Sequence, residues 1–543
     1  MEKIVQELEK VTACLVLFFV TFQQSQSDEK EYLMSTNEGA ISLEAGDILP
    51  VWRKICFAIG GAPYQMTSTV IGFFISIFLL EVAEIRPYYV AIILICGKIW
   101  DAITDPLCGY LVSRTDTRFG KFRPWILFSA PLACGAYFAV WYVPDFSEEE
   151  KFAWYFIAYC LFQGFLTGLH VPFTSLTMYI SNSQRERDSA TAYRMVSEAT
   201  GVLLAVVIQG QLVNKYRTAG DCSEEATVSS ADLQNQKDSY MWGSFVMIGI
   251  YLVCSVTVFF GTKEKKAFTG EDHANFFSDL KTVLTFGPYL KLSLSFLFLS
   301  LAIQIVQGNL ALYCTHTLHL GDQFANFILA LLVSAILSMP LWQKCLLKFG
   351  KKSVYAAGMM IFIPILISQL YLERNVYAYF VVVILAGLSI SVSLLLPWSM
   401  LPDVLDMFML EKGVRKDAIF YAFYVFFNKL STGVALGISQ AVLELGGYKK
   451  GECRQAESVG LTLRMLVVPG PVIFVLIALL FLWSYPIDEK RRQQIKKEVM
   501  ARRVKAERDE TGSEHKSPSS QAQDVVFKSD ISYESIDVSS TGV

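Results

Sequence analysis

The chain has 543 residues, of which 53% are hydrophobic, 13% aromatic and only 18% charged, against about 25% charged in an average soluble domain. Mean hydropathy is +0.40. These figures exclude a disordered chain, a collagen-like fibre and a coiled coil, and a net charge of −3 gives no reason to expect a nucleic-acid partner. The composition instead points to a polytopic protein whose main partner is the lipid bilayer.

Residues 1–51 read as a cytosolic N-terminal segment. Their apolar run, Val11 to Phe22, is shorter than the ~20 residues a spanning helix needs. Its flank, Glu2 to Lys10, is not net positive, which argues against a signal peptide. A peripheral or poorly ordered segment is expected, with its role left open. Twelve stretches are then long and apolar enough to be transmembrane helices. They lie at 54–80, 88–112, 124–143, 152–180, 188–213, 239–261, 288–314, 322–347, 353–373, 376–400, 418–445 and 461–484. The predicted fold class is an all-α membrane protein with two six-helix halves. The predicted division is 52–261 and 288–485 for the halves, a charged linker at 262–287 and a cytosolic tail at 486–543.

Basic residues fall after the second, fourth and eighth stretches: Arg114, Arg118, Lys121 and Arg123; Arg185 and Arg187; Lys348, Lys351 and Lys352. Loops on the other side are acidic, as at Glu148, Glu149 and Glu150. The positive-inside rule then places both termini in the cytosol. The halves echo each other. Arg118-Phe119-Gly120-Lys121 returns as Lys348-Phe349-Gly350-Lys351, and Val171-Pro172-Phe173-Thr174-Ser175-Leu176 as Leu396-Pro397-Trp398-Ser399-Met400-Leu401. The offsets are 230 and 225 residues. Parallel halves with a site between them near the midplane are the plan of a rocking transporter.

Charges inside such helices are costly and should face a cavity or one another. Asp101 and Asp105, four apart, share a face of the second span, and Lys98 reaches it. Two adjacent carboxylates require a cation or a shared proton, so this pair is a candidate coupling site for Na⁺ or H⁺. The structural alternative is neutralisation by Lys98. Arg194 and Glu198 are four apart in span five, either as a head-group contact or as a buried ion pair. Lys429 in span eleven has no acid near it in sequence, so its partner is another helix or the substrate. Gln304, Gln307 and Asn309 offer neutral polar contacts in span seven. His170 reads as a core histidine rather than a proton relay. Asp403 and Asp406 read as a gate or helix cap. Few polar groups among many Phe, Tyr and Leu suggest a charged head with an apolar tail.

Nine of 11 cysteines fall in or near apolar runs, where they serve as small hydrophobes. Cys222 and Cys453 fall in predicted outer loops, where disulfides persist, and are expected to pair. No phosphate-binding Gly-rich loop and no metal-ligand spacing is present, so no enzyme activity and no cofactor is expected beyond Na⁺ as a coupling ion.

Trp100-Asp101-Ala102-Ile103-Thr104-Asp105-Pro106, with Arg118-Phe119-Gly120-Lys121-Phe122-Arg123-Pro124-Trp125, resembles the cation-coupled sugar symporters of the major facilitator superfamily. Three further motifs narrow the likeness: Gly60-Gly61-Ala62-Pro63-Tyr64-Gln65, Glu186-Arg187-Asp188-Ser189-Ala190-Thr191-Ala192-Tyr193-Arg194-Met195, and Leu395-Leu396-Pro397-Trp398-Ser399-Met400-Leu401-Pro402-Asp403-Val404. With Tyr424-Val425-Phe426-Phe427 they resemble the animal lysolipid transporters of that superfamily over about 52–490. The resemblance implies cation coupling at Asp101 and Asp105 with Lys98. It implies head-group contacts at Arg194 and Lys429, with Glu198, Gln307 and Gln65 beside them, and a Cys222–Cys453 disulfide. It also implies a monomeric plasma-membrane protein.

The family has a sodium-dependent lysophosphatidylcholine symporter branch and a sphingosine-1-phosphate exporter branch. The symporter has a functional Glu at the position of Gln307 and glycan acceptors after span five, which this chain lacks. Ser295-Phe296-Leu297-Phe298, Cys314-Thr315-His316 and Gly447-Tyr448-Lys449 resemble the exporter. The presence of both Asp101 and Asp105 leans toward the symporter. The exporter is favoured, with the symporter as alternative. A sugar–cation symporter, and an uncoupled scramblase or receptor-like protein, are remoter.

Overall fold

In hydrocarbon each backbone polar group must be bonded within its own segment, and the long apolar runs achieve this as helices. A computed structural model describes residues 49–181, 184–216, 230–264, 285–372, 375–413, 417–450, 455–499 and 501. Seven helices precede the linker: α1 (Val51–Ile59), α2 (Ala62–Ile77), α3 (Pro87–Ser113), α4 (Arg123–Trp141), α5 (Glu148–Tyr179), α6 (Gln184–Tyr216) and α7 (Ser230–Gly261). Seven follow it: α8 (Gly287–Leu312), α9 (Phe324–Phe349), α10 (Lys351–Ser368), α11 (Val376–Lys412), α12 (Asp417–Leu445), α13 (Glu457–Val467) and α14 (Pro469–Trp483). The backbone of 489–499 is also helical.

A helix stands at each of the twelve expected stretches. By length and composition, nine of the described helical stretches can cross a membrane, and Val376–Val392 is a shorter apolar helix. The other two, α3 and α12, carry Lys98, Asp101, Asp105 and Lys429. Their place as spans rests on position rather than apolarity.

Several expected boundaries shift for local reasons. The first span is two helices, because the chain turns at Gly60 and Gly61. A Cβ on Gly60 would lie 2.4 Å from Val258, and one on Gly61 2.8 Å from Glu198. The last span breaks at Val468, ahead of Pro469. Span ten runs on to Lys412 and ends at Gly413, whose φ of +73° suits glycine. Asp403 therefore lies inside α11 and does not cap it. It accepts from Lys351 Nζ at 2.6 Å. At the start of α5, Ser147 and Glu150 form a capping box, with three acids in the first turn.

One core cluster is built from the end of the linker onward, Phe286 to Val499. A larger one is built mainly from α1–α7, but it takes in Tyr313, Phe324, Phe327, Tyr379, Leu443 and Tyr448 from beyond the linker. The two bundles thus share a core at the end opposite the basic loops. The same end carries a His–carboxylate contact and an ion pair between them. Glu81 meets His316 at 2.7 Å, each in a π-helical turn, Phe78–Val82 and Tyr313–Thr317. Glu148 meets Lys450 at 2.5 Å.

Candidate functional site

The site begins with two glycines. Gly433 and Gly437 are spaced as small-xxx-small on α12. A Cβ on Gly433 would lie 2.7 Å from Lys98 Cβ, and one on Gly437 would lie 2.1 Å from Ile95. Only their absent side chains let α12 lie this close to α3. One turn before Gly433, Lys429 then extends into the α3 acids.

Lys429 Nζ donates to Asp101 Oδ1 at 2.8 Å and to Asp105 at 2.7 Å. Lys98 Nζ stands 3.5 Å from Asp101 Oδ2. Thr167 of α5 donates to Asp101 Oδ1 at 2.9 Å, and Thr104 lies 3.4 Å from Thr167. Asp101 and Lys429 are buried, at 4% and 8% exposure. The Lys98 neutralisation allowed by the sequence is therefore secondary, since the cation that holds both carboxylates is Lys429. Two acids and two ammonium groups sum to zero, which makes burial tolerable.

A second cluster lies on α6. Arg194 Nε is 3.1 Å from Glu198 Oε1, its guanidinium is 5.9 Å from the Phe173 ring, and an NH₂ group reaches Thr177 at 3.4 Å. The Gln65 amide stands at the Glu198 carboxylate. The buried-pair alternative for Arg194 is thus present in this conformation.

Between the clusters, the Tyr64 and His170 rings stack with centroids 3.7 Å apart and planes 16° from parallel. Tyr64 lies within the field of Lys429, Asp101, Lys98 and Asp105. His170 lies within that of Lys429 and Arg194. Tyr64 entered the sequence reading only within the Gly60–Gln65 motif and Thr167 not at all, because a single polar residue in an apolar helix carries no local signal. Gln307 stands apart from both clusters, with its amide against Gly72 of α2. That is seven residues, about 10 Å, along the helix from Gln65. Cys222 and Cys453 lie outside the described residues, and so does their expected disulfide.

An all-helical, two-bundle membrane chain with buried charges bridging its bundles defines a transporter of the major facilitator fold. The solved structures agree on the fold. A bacterial homologue of the lysosomal transporter Spinster, 13% identical, aligns over 80% of this chain and 95% of its own with a TM-score of 0.55. A D-xylose–proton symporter, 14% identical, aligns over 81% and 98% with 0.55.

The family described as MFS/sugar transport protein matches residues 56–489. The sodium-dependent lysophosphatidylcholine symporter 1 of Mus musculus is 43% identical over 84% of this chain and 90% of its own. A sphingosine-1-phosphate transporter of Xenopus tropicalis is 42% identical over 82% and 90%. The chain belongs to the lysolipid-transporter family of the major facilitator superfamily.

Proposed function

We propose that this chain moves a single-chain lysolipid with a phosphate-bearing head across the plasma membrane by alternating access, and that sphingosine-1-phosphate export is its principal activity. The observation that carries this reading is Lys429, held by Asp101 and Asp105, with His170 of the Tyr64–His170 stack within reach of the charges of both Lys429 and Arg194. Both cations are already neutralised by acids that a small cation could take over. When Na⁺ or H⁺ neutralises the Asp pair, Lys429 is released toward the head group. Arg194 exchanges Glu198 for the same phosphate, since a guanidinium suits it bidentately. Gln65 and Gln307 supply neutral contacts along α2. In this reading 52–261 and 288–485 are the moving halves, 262–287 links them, and 1–51 and 486–543 face the cytosol. The shared core and the Glu81–His316 and Glu148–Lys450 pairs are the closed outer gate.

The second reading is sodium-coupled uptake of lysophosphatidylcholine. It is supported by the intact Asp101–Asp105 pair and by the symporter relatives. Relatives of both branches stand at 40–44% identity, so the choice rests on the neutral Gln307, the absent glycan acceptors and the exporter-like segments Ser295–Phe298, Cys314–His316 and Gly447–Lys449.

Cells expressing the chain are loaded with labelled sphingosine, which they phosphorylate, and the medium is assayed for sphingosine-1-phosphate. Uptake of labelled lysophosphatidylcholine is measured in parallel with and without sodium. Release that depends on the chain is expected. Sodium-dependent uptake without release would overturn the exporter reading in favour of the symporter.

A further inference from the structure

The sequence repeat becomes, in three dimensions, a comparison of two cavities. Lys121 and Lys351, 230 residues apart, each follow a glycine in the left-handed region, Gly120 at φ +109° and Gly350 at φ +81°. An acid stands at each glycine. Glu264 accepts the backbone N–H groups of Lys121, Phe122 and Arg123 at 2.6, 2.9 and 2.8 Å. Glu489, 225 residues later, packs 3.1 Å from the Cβ position of Gly350.

The halves differ in what meets the ammonium. Lys351 Nζ donates to Asp403 at 2.6 Å and to the Ser399 carbonyl at 2.5 Å. The space left beside them is about 10 Å³, no more than one water requires. The 225-residue offset that aligns Val171–Leu176 with Leu396–Leu401 puts Met178 where the second half has Asp403. Lys121 accordingly borders a cavity of about 250 Å³, walled by Val112, Phe122, Val171, Ser175, Met178 and Tyr179. Among the described residues no carboxylate forms an ion pair with its ammonium. An ammonium beside apolar walls favours an anion, and among the described residues Lys121 Nζ has the face of the Phe122 ring, 5.9 Å from its centroid, in place of one.

The surroundings indicate which anion. The cavity lies at the basic loop after α3, at a membrane–water boundary. Met178 on its wall is exposed, and on α3 the Arg114 guanidinium sits 4.5 Å from the exposed Tyr110 ring. Basic groups above exposed apolar side chains match the two parts of a membrane lipid. We propose that this cavity holds the phosphate of an anionic phospholipid from the bordering leaflet, with Lys121 as its counter-ion and Val171 and Met178 along its chains. The lipid completes in the first half the charge pair that Asp403 completes in the second.

The test uses the full chain in nanodiscs of mixed phosphatidylcholine and phosphatidylglycerol, with retained lipid counted by native mass spectrometry. Wild type should retain phosphatidylglycerol in preference. Met178→Asp, which rebuilds the second-half pair, and Lys121→Met, which removes the counter-ion, should both lose that preference. A thermal melt confirms that each variant is folded, and Lys121→Met alone suffices if Met178→Asp is not. Retention equal to wild type in a folded variant would overturn the proposal. So would displacement of the lipid by inorganic phosphate, which would mark a free-anion site.

Discussion

Lys429 and Asp101, 328 residues apart in the chain, meet at 2.8 Å in the buried middle of the bundle. With Asp105 on the same ammonium, this contact ties the two bundles at the level where charge is least tolerated. Removing one partner of such a pair strands the other, at a cost of about 3–5 kcal/mol. Lys429→Ala is therefore expected to lose transport and to melt well below wild type. Lys429→Met with Asp101→Asn and Asp105→Asn should recover most of the stability and none of the transport. Melting curves in detergent, run beside the release assay, check both. Full stability of Lys429→Ala alone would contradict the pairing.

Thr167 gives Asp101 a hydrogen bond at 2.9 Å. A bond to a charged group contributes about 1.5–3 kcal/mol. Thr167→Val should shift the cation dependence of transport by roughly 10- to 100-fold while the protein remains at the cell surface. A cation titration of transport is the measurement, and an unmoved midpoint would show that Thr167 only packs there.

Gly437→Val would place a side chain into Ile95, whose Cδ1 lies 2.1 Å from the position of the new Cβ. Overpacking of this kind costs about 1–3 kcal/mol. Here it also pushes α12 from α3 and separates Lys429 from its acids. Loss of transport should exceed loss of folded protein. Equal losses would mean that the glycine serves folding alone.

Glu81 and His316 stand at the outer end, 2.7 Å apart. With both changed to cysteine and bridged by a short bis-maleimide, the bundles should be held together there and transport should stop. Either single cysteine treated alike should still transport. Undiminished transport in the bridged protein would show that this end need not open.

Much of the fold was legible in the sequence because apolar runs and basic loops are local signals. The face shared by Lys98, Asp101 and Asp105 was legible too, since helical spacing fixes it. The partner of Lys429 was not. That contact depends on how closely two distant helices pack, and the Gly433–Gly437 spacing that permits it carries no information about which helix it will meet. The stack of Tyr64 on His170 was hidden for the same reason, since a contact between α2 and α5 leaves no mark on either segment, although His170 itself was read as a core histidine. Asp403 was misplaced because the expected span ended with the apolar run at 400, whereas the helix continues to Lys412.

The account turns on Lys429 exchanging the Asp pair for a phosphate when a cation arrives. Binding of sphingosine-1-phosphate to the purified chain, measured with and without sodium and across pH, tests this most directly. Wild type should bind more tightly when Asp101 and Asp105 are neutralised by sodium or by protons. The Asp101→Asn, Asp105→Asn variant should bind tightly under all conditions. The same cation dependence in that variant as in wild type, or none in wild type, would contradict it.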